Sequence, residues 1–105
     1  MTKTEIDYVT PQWSAPLHVR ALTTLRLGGS SQGAYQGLNL AEHVGDDLAH
    51  VTKNRRLMQT SIRCPSDPNW LEQVHGSQVI QLDDGDVSRV ADGSMSRSRR
   101  VVCAV

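Results

Sequence analysis

Apolar side chains recur at helical spacing in the middle of the chain. The recurring positions are Leu48, Val51, Met58 and Ile62. They predict a helix over about Leu48–Ile62 with one buried stripe. Asp46 or Asp47 can accept the free N–H groups of its first turn, and both carboxylates suit the positive end of the helix dipole. Pro65 and Pro68 prevent the helix from continuing.

Shorter stretches of alternating or continuous apolar residues predict β-strands on both sides of this helix. The predicted strands are His18–Leu25, Trp70–His75, Gln78–Leu82 and Val101–Val105. Residues 1–16 are expected to be irregular, because two prolines interrupt them. Gly28–Gly33 and Asp83–Asp86 are expected to form turns, and Ser94–Arg100 a solvated polar segment. One helix among several short strands predicts a mixed α/β fold of the α+β class.

The composition is that of an ordinary globular protein. The 105 residues allow one domain, and 24 of them are Leu, Ile or Val. The charges of eleven basic and eleven acidic residues cancel, so no net positive electrostatic field attracts nucleic acid or an anionic membrane. No apolar run approaches the ~18 residues that span a bilayer. Because the sequence shows no secretory signal and Cys64 and Cys103 lie far apart, we expect a cytoplasmic protein with reduced thiols.

His75 is the strongest candidate for a catalytic or metal-binding residue. In a strand, Leu71, Gln73 and His75 would share one face, and an imidazole at a strand end before Gly76 is well placed as a ligand or general base. The alternative is a half-exposed strand histidine with one hydrogen bond. A catalytic zinc needs three protein ligands, and no partner has a recognisable spacing to His75. His43 and His50, seven residues apart, are a weak metal pair.

Three other features carry weaker predictions. The Gly28–Gly33 loop, with Arg26 before it, can cradle an oxyanion through backbone N–H groups or form an ordinary flexible turn. Cys103 lies in an apolar run, which predicts a buried and inert thiol. The apolar run Val101–Val105 closes the sequence, and burying it requires further chain to cover it. We therefore expect a truncated chain, with a genuine terminal core strand as the alternative.

Short motifs are spread along nearly the whole chain, and the most specific is Gln73-Val74-His75-Gly76. The others are Arg26-Leu27-Gly28-Gly29, Leu38-Asn39-Leu40, His43-Val44-Gly45-Asp46-Asp47, Asn54-Arg55, Ala91-Asp92-Gly93 and Val102-Cys103-Ala104-Val105. In type and order they resemble the N-terminal part of the YfiH/YlmD family, also called laccase-domain or polyphenol oxidase proteins and, more recently, purine nucleoside phosphorylases. The resemblance implies a YfiH-like fold with a mixed sheet and packed helices. Residues 1–105 would form the N-terminal portion of one larger domain.

The resemblance also implies a metal site. Family members are much longer and take their ligands from the His of the Gln-Val-His-Gly block, the Cys of a Thr-Ala-Asp-Cys motif and a second His. Only His75 matches a family ligand, because the ligand cysteine follows the Cys-Ala-Val strand and is not Cys103. Leu25 is a departure, since the family often has Thr before the arginine. The implied cofactor is zinc, with copper as the alternative.

The implied activity is phosphorolysis of adenosine, inosine or methylthioadenosine, with deamination of adenosine as a second activity. Partners would be a purine nucleoside and phosphate, without nucleic acid or membrane, and the oligomeric state is left open. We infer Arg26 as a phosphate contact and Asn39, Gln73 and Asp92 as supporting or substrate-contacting residues. The alternatives are a copper polyphenol oxidase, an amide hydrolase acting on cell-wall precursors, and an inactive, aggregation-prone fragment.

Overall fold

The computed structural model describes residues 6–42 and 44–105, so the predictions for residues 1–5 and His43 lie outside the described residues. The chain divides into two compact units, one up to Arg63 and one from Cys64 to Val105. Within the described part, one α-helix accompanies six strands of two or three residues. This mixture of a helix with small sheets confirms the predicted α+β class.

The helix α1 spans Leu48–Ser61, as predicted to within one residue. Asp47 is its N-cap and accepts a hydrogen bond from the Ala49 N–H at 2.8 Å. The buried stripe consists of Val51, Asn54 and Met58. The prediction that Leu48 and Ile62 belong to it was wrong: Leu48 is exposed and Ile62 is half-buried. Leu48 is the first residue of the helix, and the buried stripe begins about one turn later, at Val51.

The first unit contains a single strand pair within its described residues. Strand β1 (Tyr8–Val9) pairs antiparallel with strand β2 (Thr23–Thr24). Residues 1–16 are therefore not irregular throughout, and the strand predicted over His18–Leu25 is much shorter. A turn in which the Val19 N–H donates to the Pro16 carbonyl at 2.9 Å occupies the start of that predicted strand. The buried apolar side chains of this unit are Ile6, Leu38, Val51 and Met58.

The second unit is built on two parallel strand pairs. Strands β3 (Pro68–Asn69) and β6 (Val102–Cys103) form one pair, and β4 (Val79–Gln81) and β5 (Gly93–Met95) form the other. Leu71, Ala91 and Ile80 of β4 form a buried cluster, with Leu82 and Val87 packed against it. The strand predicted at Gln78–Leu82 is thus confirmed as β4.

Three predictions for the second unit were wrong. Trp70–His75 is not a strand: Glu72 makes an isolated parallel bridge with Val90, and the chain then turns. Ser94 and Met95, expected in a solvated segment, extend β5 because they pair with β4. The run at Val101–Val105 contributes only two strand residues, and Cys103 is exposed rather than buried. In residues 6–42 and 44–105, no helix combines the length and apolarity that crossing a membrane requires.

Candidate active site

The loop Val74–Gly76 presents His75 to solvent in an unusual backbone conformation. His75 has φ +59°, in the left-handed region, and its side chain is exposed. The expected common face of Leu71, Gln73 and His75 does not exist, since Leu71 is buried while the other two are exposed. A left-handed residue that is not glycine costs about 1–2 kcal/mol, so the surrounding structure must hold it there.

The carboxylate of Asp92 holds this loop. Asp92 Oδ1 accepts hydrogen bonds from the Val74 N–H at 3.1 Å and the His75 N–H at 2.8 Å. Asp92 Oδ2 accepts one from the Gly76 N–H at 2.7 Å. Three consecutive N–H groups converge on one anion, which is the geometry of an anion-binding nest. A sequence-distant carboxylate therefore stabilises the conformation that exposes the imidazole.

Asp92 is itself fixed by the backbone around it. Its N–H donates to the Gln78 carbonyl at 3.1 Å, and the Ala91 N–H donates to the Glu72 carbonyl at 3.2 Å. Desolvation alone raises the pKa of Asp92, but the three backbone hydrogen bonds and the nearby His75 outweigh it and hold the pKa below its ordinary value. The side chain is therefore ionised at neutral pH and acts as a charged anchor for the loop.

Gly76 completes the loop because there is little room for a side chain. A Cβ at this position would lie 3.3 Å from Asp92 Oδ2. The Gln-Val-His-Gly block and the Ala-Asp-Gly block, separate in the sequence, thus form one structural feature. Among the predicted site residues, Gln73, His75 and Asp92 lie together here, and Gln73 remains an exposed neighbour of the loop.

The other predicted residues, Arg26 and Asn39, belong to the glycine loop of the first unit. Arg26 is exposed, and its carbonyl accepts a hydrogen bond from the Leu38 N–H at 2.9 Å. The Ser31 N–H donates to the Gly37 carbonyl at 3.2 Å. The Ser30 N–H donates to the Asn54 side chain at 2.7 Å. Because internal acceptors occupy these two N–H groups, neither can cradle a phosphate, and the Arg26 guanidinium is the exposed cation of this loop.

Asn39 makes local contacts at both ends of its side-chain amide. Its Nδ2 donates to Asp46 Oδ2 at 3.0 Å and to the Ala41 carbonyl at 3.3 Å, and its Oδ1 accepts from the Ala41 N–H at 3.2 Å. The hydrogen bonds from Ser31 and Asn39 lower the pKa of Asp46. Asn39 therefore supports the loop structure in this chain.

Asn54 is named in the sequence only as part of the Asn54-Arg55 motif, and its buried position was not predicted. It lies on α1 with none of its surface exposed, between the buried positions Val51 and Met58. The sequence did contain an indication, because a polar residue at the spacing of an apolar stripe must find partners inside the protein.

A metal centre is not complete within these residues. No group of three or more His, Cys, Asp or Glu side chains that could hold a metal ion occurs in the described parts of the chain. A catalytic zinc needs three protein ligands, and the Asp92 carboxylate beside His75 is already engaged by backbone N–H groups. The residues described here therefore do not by themselves fit a zinc site.

Known proteins resemble the chain over most of its length. It is 44% identical over 98 residues to "Purine nucleoside phosphorylase PA4543" of Pseudomonas aeruginosa. The match covers 93% of this chain and 39% of the relative. It is 43% identical over 98 residues to "Purine nucleoside phosphorylase YfiH" of Escherichia coli K12, covering 92% and 40%. The chain thus spans about two-fifths of the length of these relatives.

A solved structure supports the same relationship. The crystal structure of the Neisseria meningitidis protein NMB0706 matches with a TM-score of 0.75 at 37% identity, covering 91% of this chain and 39% of that one. The model of the family described as multi-copper polyphenol oxidoreductase laccase matches residues 20–105. The predicted family resemblance is confirmed, and the chain belongs to this laccase-like family, which includes the YfiH-named relatives.

Proposed function

We propose that residues 1–105 are the N-terminal portion of a purine nucleoside phosphorylase that acts on adenosine, inosine or methylthioadenosine. The observation that carries the proposal is the 44% identity, over 93% of this chain, to a relative named as a purine nucleoside phosphorylase. The three nucleosides are those that the family resemblance implies. The activity is proposed for a protein of the relatives' length, because this chain spans 39% of that relative. We also propose a cytoplasmic location, because Cys64 and Cys103 lie far apart in the sequence, which suits reduced thiols.

The proposed reaction transfers a ribosyl group to phosphate. A phosphate oxygen forms a bond to C1′ of the ribose while the bond from C1′ to the purine nitrogen breaks. The electron pair of that bond goes to the purine, which takes up the proton that the attacking hydrogen phosphate loses, directly or through water. The products are the free base and ribose 1-phosphate, or its 5-methylthio derivative when methylthioadenosine is the substrate. Arg26 would hold the phosphate against the sugar, because a guanidinium can bind two phosphate oxygens at once.

His75 is proposed as a metal ligand in the longer protein, with the other ligands supplied from outside this chain. A bound zinc ion would supply Lewis acidity or a water molecule of lowered pKa, which would also permit deamination of adenosine. Asp92 would act through His75 by fixing the Val74–Gly76 loop, and Gln73 would contact substrate or ligand from its exposed position.

A copper oxidoreductase is the second candidate. The description of the matching family as a polyphenol oxidoreductase favours it. Copper and zinc both accept histidine and cysteine ligands, so the residue types do not separate the two. The test is therefore chemical: the phosphorylase requires phosphate and releases a purine, whereas the oxidase requires a phenol and oxygen.

The experiment uses a long form, in which residues 1–105 are followed by the part of the P. aeruginosa relative that the match leaves uncovered. The purified long form, inosine and phosphate are expected to give hypoxanthine and ribose 1-phosphate, and omission of phosphate is expected to abolish the release. His75→Ala should remove the activity and lower the bound zinc. The matched control is His18→Ala, which changes an exposed histidine outside the proposed site.

Two results would contradict the proposal. Copper-dependent oxidation of phenols by the long form, without phosphate-dependent release of purine, would favour the oxidase. A His75→Ala variant with full activity and full zinc content would show that His75 is not a ligand. The 105-residue chain alone is expected to be inactive.

A further inference from the structure

We propose that Asn54 is a positioning residue that fixes the glycine loop and, through it, the phosphate-binding geometry of Arg26. The inference rests on the proposed function, because it takes Arg26 as the phosphate contact. It assigns to Asn54 a role that neither the sequence motifs nor the similar proteins provide. All the contacts that support it lie within the first unit.

Asn54 uses both ends of its buried amide to hold the loop. Its Oδ1 accepts from the Ser30 N–H at 2.7 Å. Its Nδ2 donates to Ser31 Oγ at 2.9 Å, to the Asn39 carbonyl at 2.8 Å and, more weakly, to the Gly37 carbonyl at 3.3 Å. One side chain on the helix therefore contacts both the beginning and the end of the segment from Ser30 to Asn39.

The loop closes so tightly on Asn54 that two positions exclude any side chain. A Cβ at Gly29, where φ is +81°, would lie 2.7 Å from Asn54 Oδ1. A Cβ at Gly37, where φ is +109°, would lie 2.1 Å from the Arg26 carbonyl oxygen. The Leu38 N–H binds the same Arg26 carbonyl at 2.9 Å. The backbone of Arg26 is thus held by a segment that Asn54 itself anchors.

The direction of each hydrogen bond in this network is determined. Ser31 Oγ accepts from Asn54 and donates its proton to Asp46 Oδ2 at 2.5 Å. Asn39 Nδ2 donates to the same carboxylate oxygen at 3.0 Å. The ionised Asp46 takes the hydroxyl proton of Ser31, and the carbonyl oxygens of Gly37 and Asn39 have no proton to give. An acceptor in place of Asn54 Nδ2 would therefore find no donor among these groups.

This arrangement predicts a selective defect. In Asn54→Asp a carboxylate would face the carbonyls of Asn39 and Gly37, and in Asn54→Ala the Ser30 N–H and the same carbonyls would lose their partner. The loop would then loosen and Arg26 would no longer be held ready for phosphate. The hydrogen bonds around His75 lie within the second unit and do not involve Asn54.

The test measures steady-state kinetics of the long form with Asn54→Ala and Asn54→Asp. The KM for phosphate is expected to rise by about tenfold or more, because small displacements of binding groups are costly. The kcat and the KM for the nucleoside should change little. Lys53→Ala, an exposed neighbour on the same helix, is the control. Ser31→Ala, which removes one link of the network, should give a smaller rise if the Asn54 variants do not fold.

A second measurement separates this inference from the proposed function. Inorganic phosphate is titrated into the 105-residue chain and the amide resonances of Arg26 and Gly28 are followed by NMR. Saturable shifts in the wild type that are lost in Asn54→Ala support the inference even if the long form shows no phosphorolysis. The inference would be overturned by equal shifts in both proteins or by the absence of a saturable shift in the wild type. It would also be overturned by an active long form whose KM for phosphate does not change when Asn54 is substituted.

Discussion

Gly37 and Gly33 offer a matched test of how tightly the glycine loop closes. Both have positive φ, +109° and +65°. A Cβ at Gly33 would meet nothing within 4 Å, whereas one at Gly37 would lie 2.1 Å from the Arg26 carbonyl oxygen. Alanine at both positions carries the backbone penalty, and only Gly37→Ala adds a collision with the backbone.

The difference between the two variants can be estimated. Gly33→Ala should lower the free energy of unfolding by about 1 kcal/mol, the cost of a left-handed residue with a side chain. Gly37→Ala has the same cost, and the Arg26 carbonyl must also move away from the Leu38 N–H, to which it is bound at 2.9 Å. Losing that bond and leaving a buried group unsatisfied adds about 1–3 kcal/mol. We therefore expect Gly37→Ala to cost about 3 kcal/mol in total.

Unfolding by urea is monitored through the circular dichroism of α1, and amide hydrogen exchange is measured at Leu38. Gly37→Ala should shift the unfolding midpoint more than Gly33→Ala and should accelerate exchange of the Leu38 amide. In Gly33→Ala, exchange of the Leu38 amide should rise only as far as the lower global stability of that variant requires. Equal destabilisation by the two variants, with Leu38 equally protected in both, would refute the close approach of Gly37 to Arg26.

Two further predictions concern the carboxylates. In Asp92→Asn the backbone N–H of Gly76 should exchange several times faster, because the asparagine side chain offers one acceptor oxygen where the carboxylate offers two. Asp86→Asn changes an exposed carboxylate and is the control, in which exchange at Gly76 should be unchanged. Equal exchange at Gly76 in the two variants would contradict the anchoring role of Asp92. The lowered pKa of Asp46 means that its contribution to stability is full above its ordinary value of 3.8 and is lost as pH falls through the lower folded value. The stability advantage of wild type over Asp46→Asn should therefore shrink on acidification below about pH 4, and an advantage independent of pH would contradict the bond from Ser31.

The helix could be predicted from the sequence because its determinants are local. The Asp47 cap and the apolar spacing of Val51 and Met58 lie within the segment that they define. Asn54 was not predicted as buried, because its partners at Ser30 and Asn39 come from a loop that no periodic pattern places beside the helix. Only the fold brings them together.

The strands were harder to predict for the same reason. Strands of two or three residues have no measurable period, so Tyr8–Val9 and Pro68–Asn69 carry no alternation to detect. The prediction that His75 lies in a strand was wrong. Its left-handed conformation depends on Asp92, 17 residues away, whose carboxylate binds the loop through space. The roles assigned to Arg26, Gln73 and His75 stay predictions.

The role of His75 in phosphorolysis is tested by the rate of phosphate-dependent hypoxanthine release from inosine by the long form, compared between wild type and His75→Ala. We expect activity in the wild type and a loss of about a hundredfold or more in the variant, with reduced zinc content. Undiminished release by His75→Ala with zinc still bound would contradict that role.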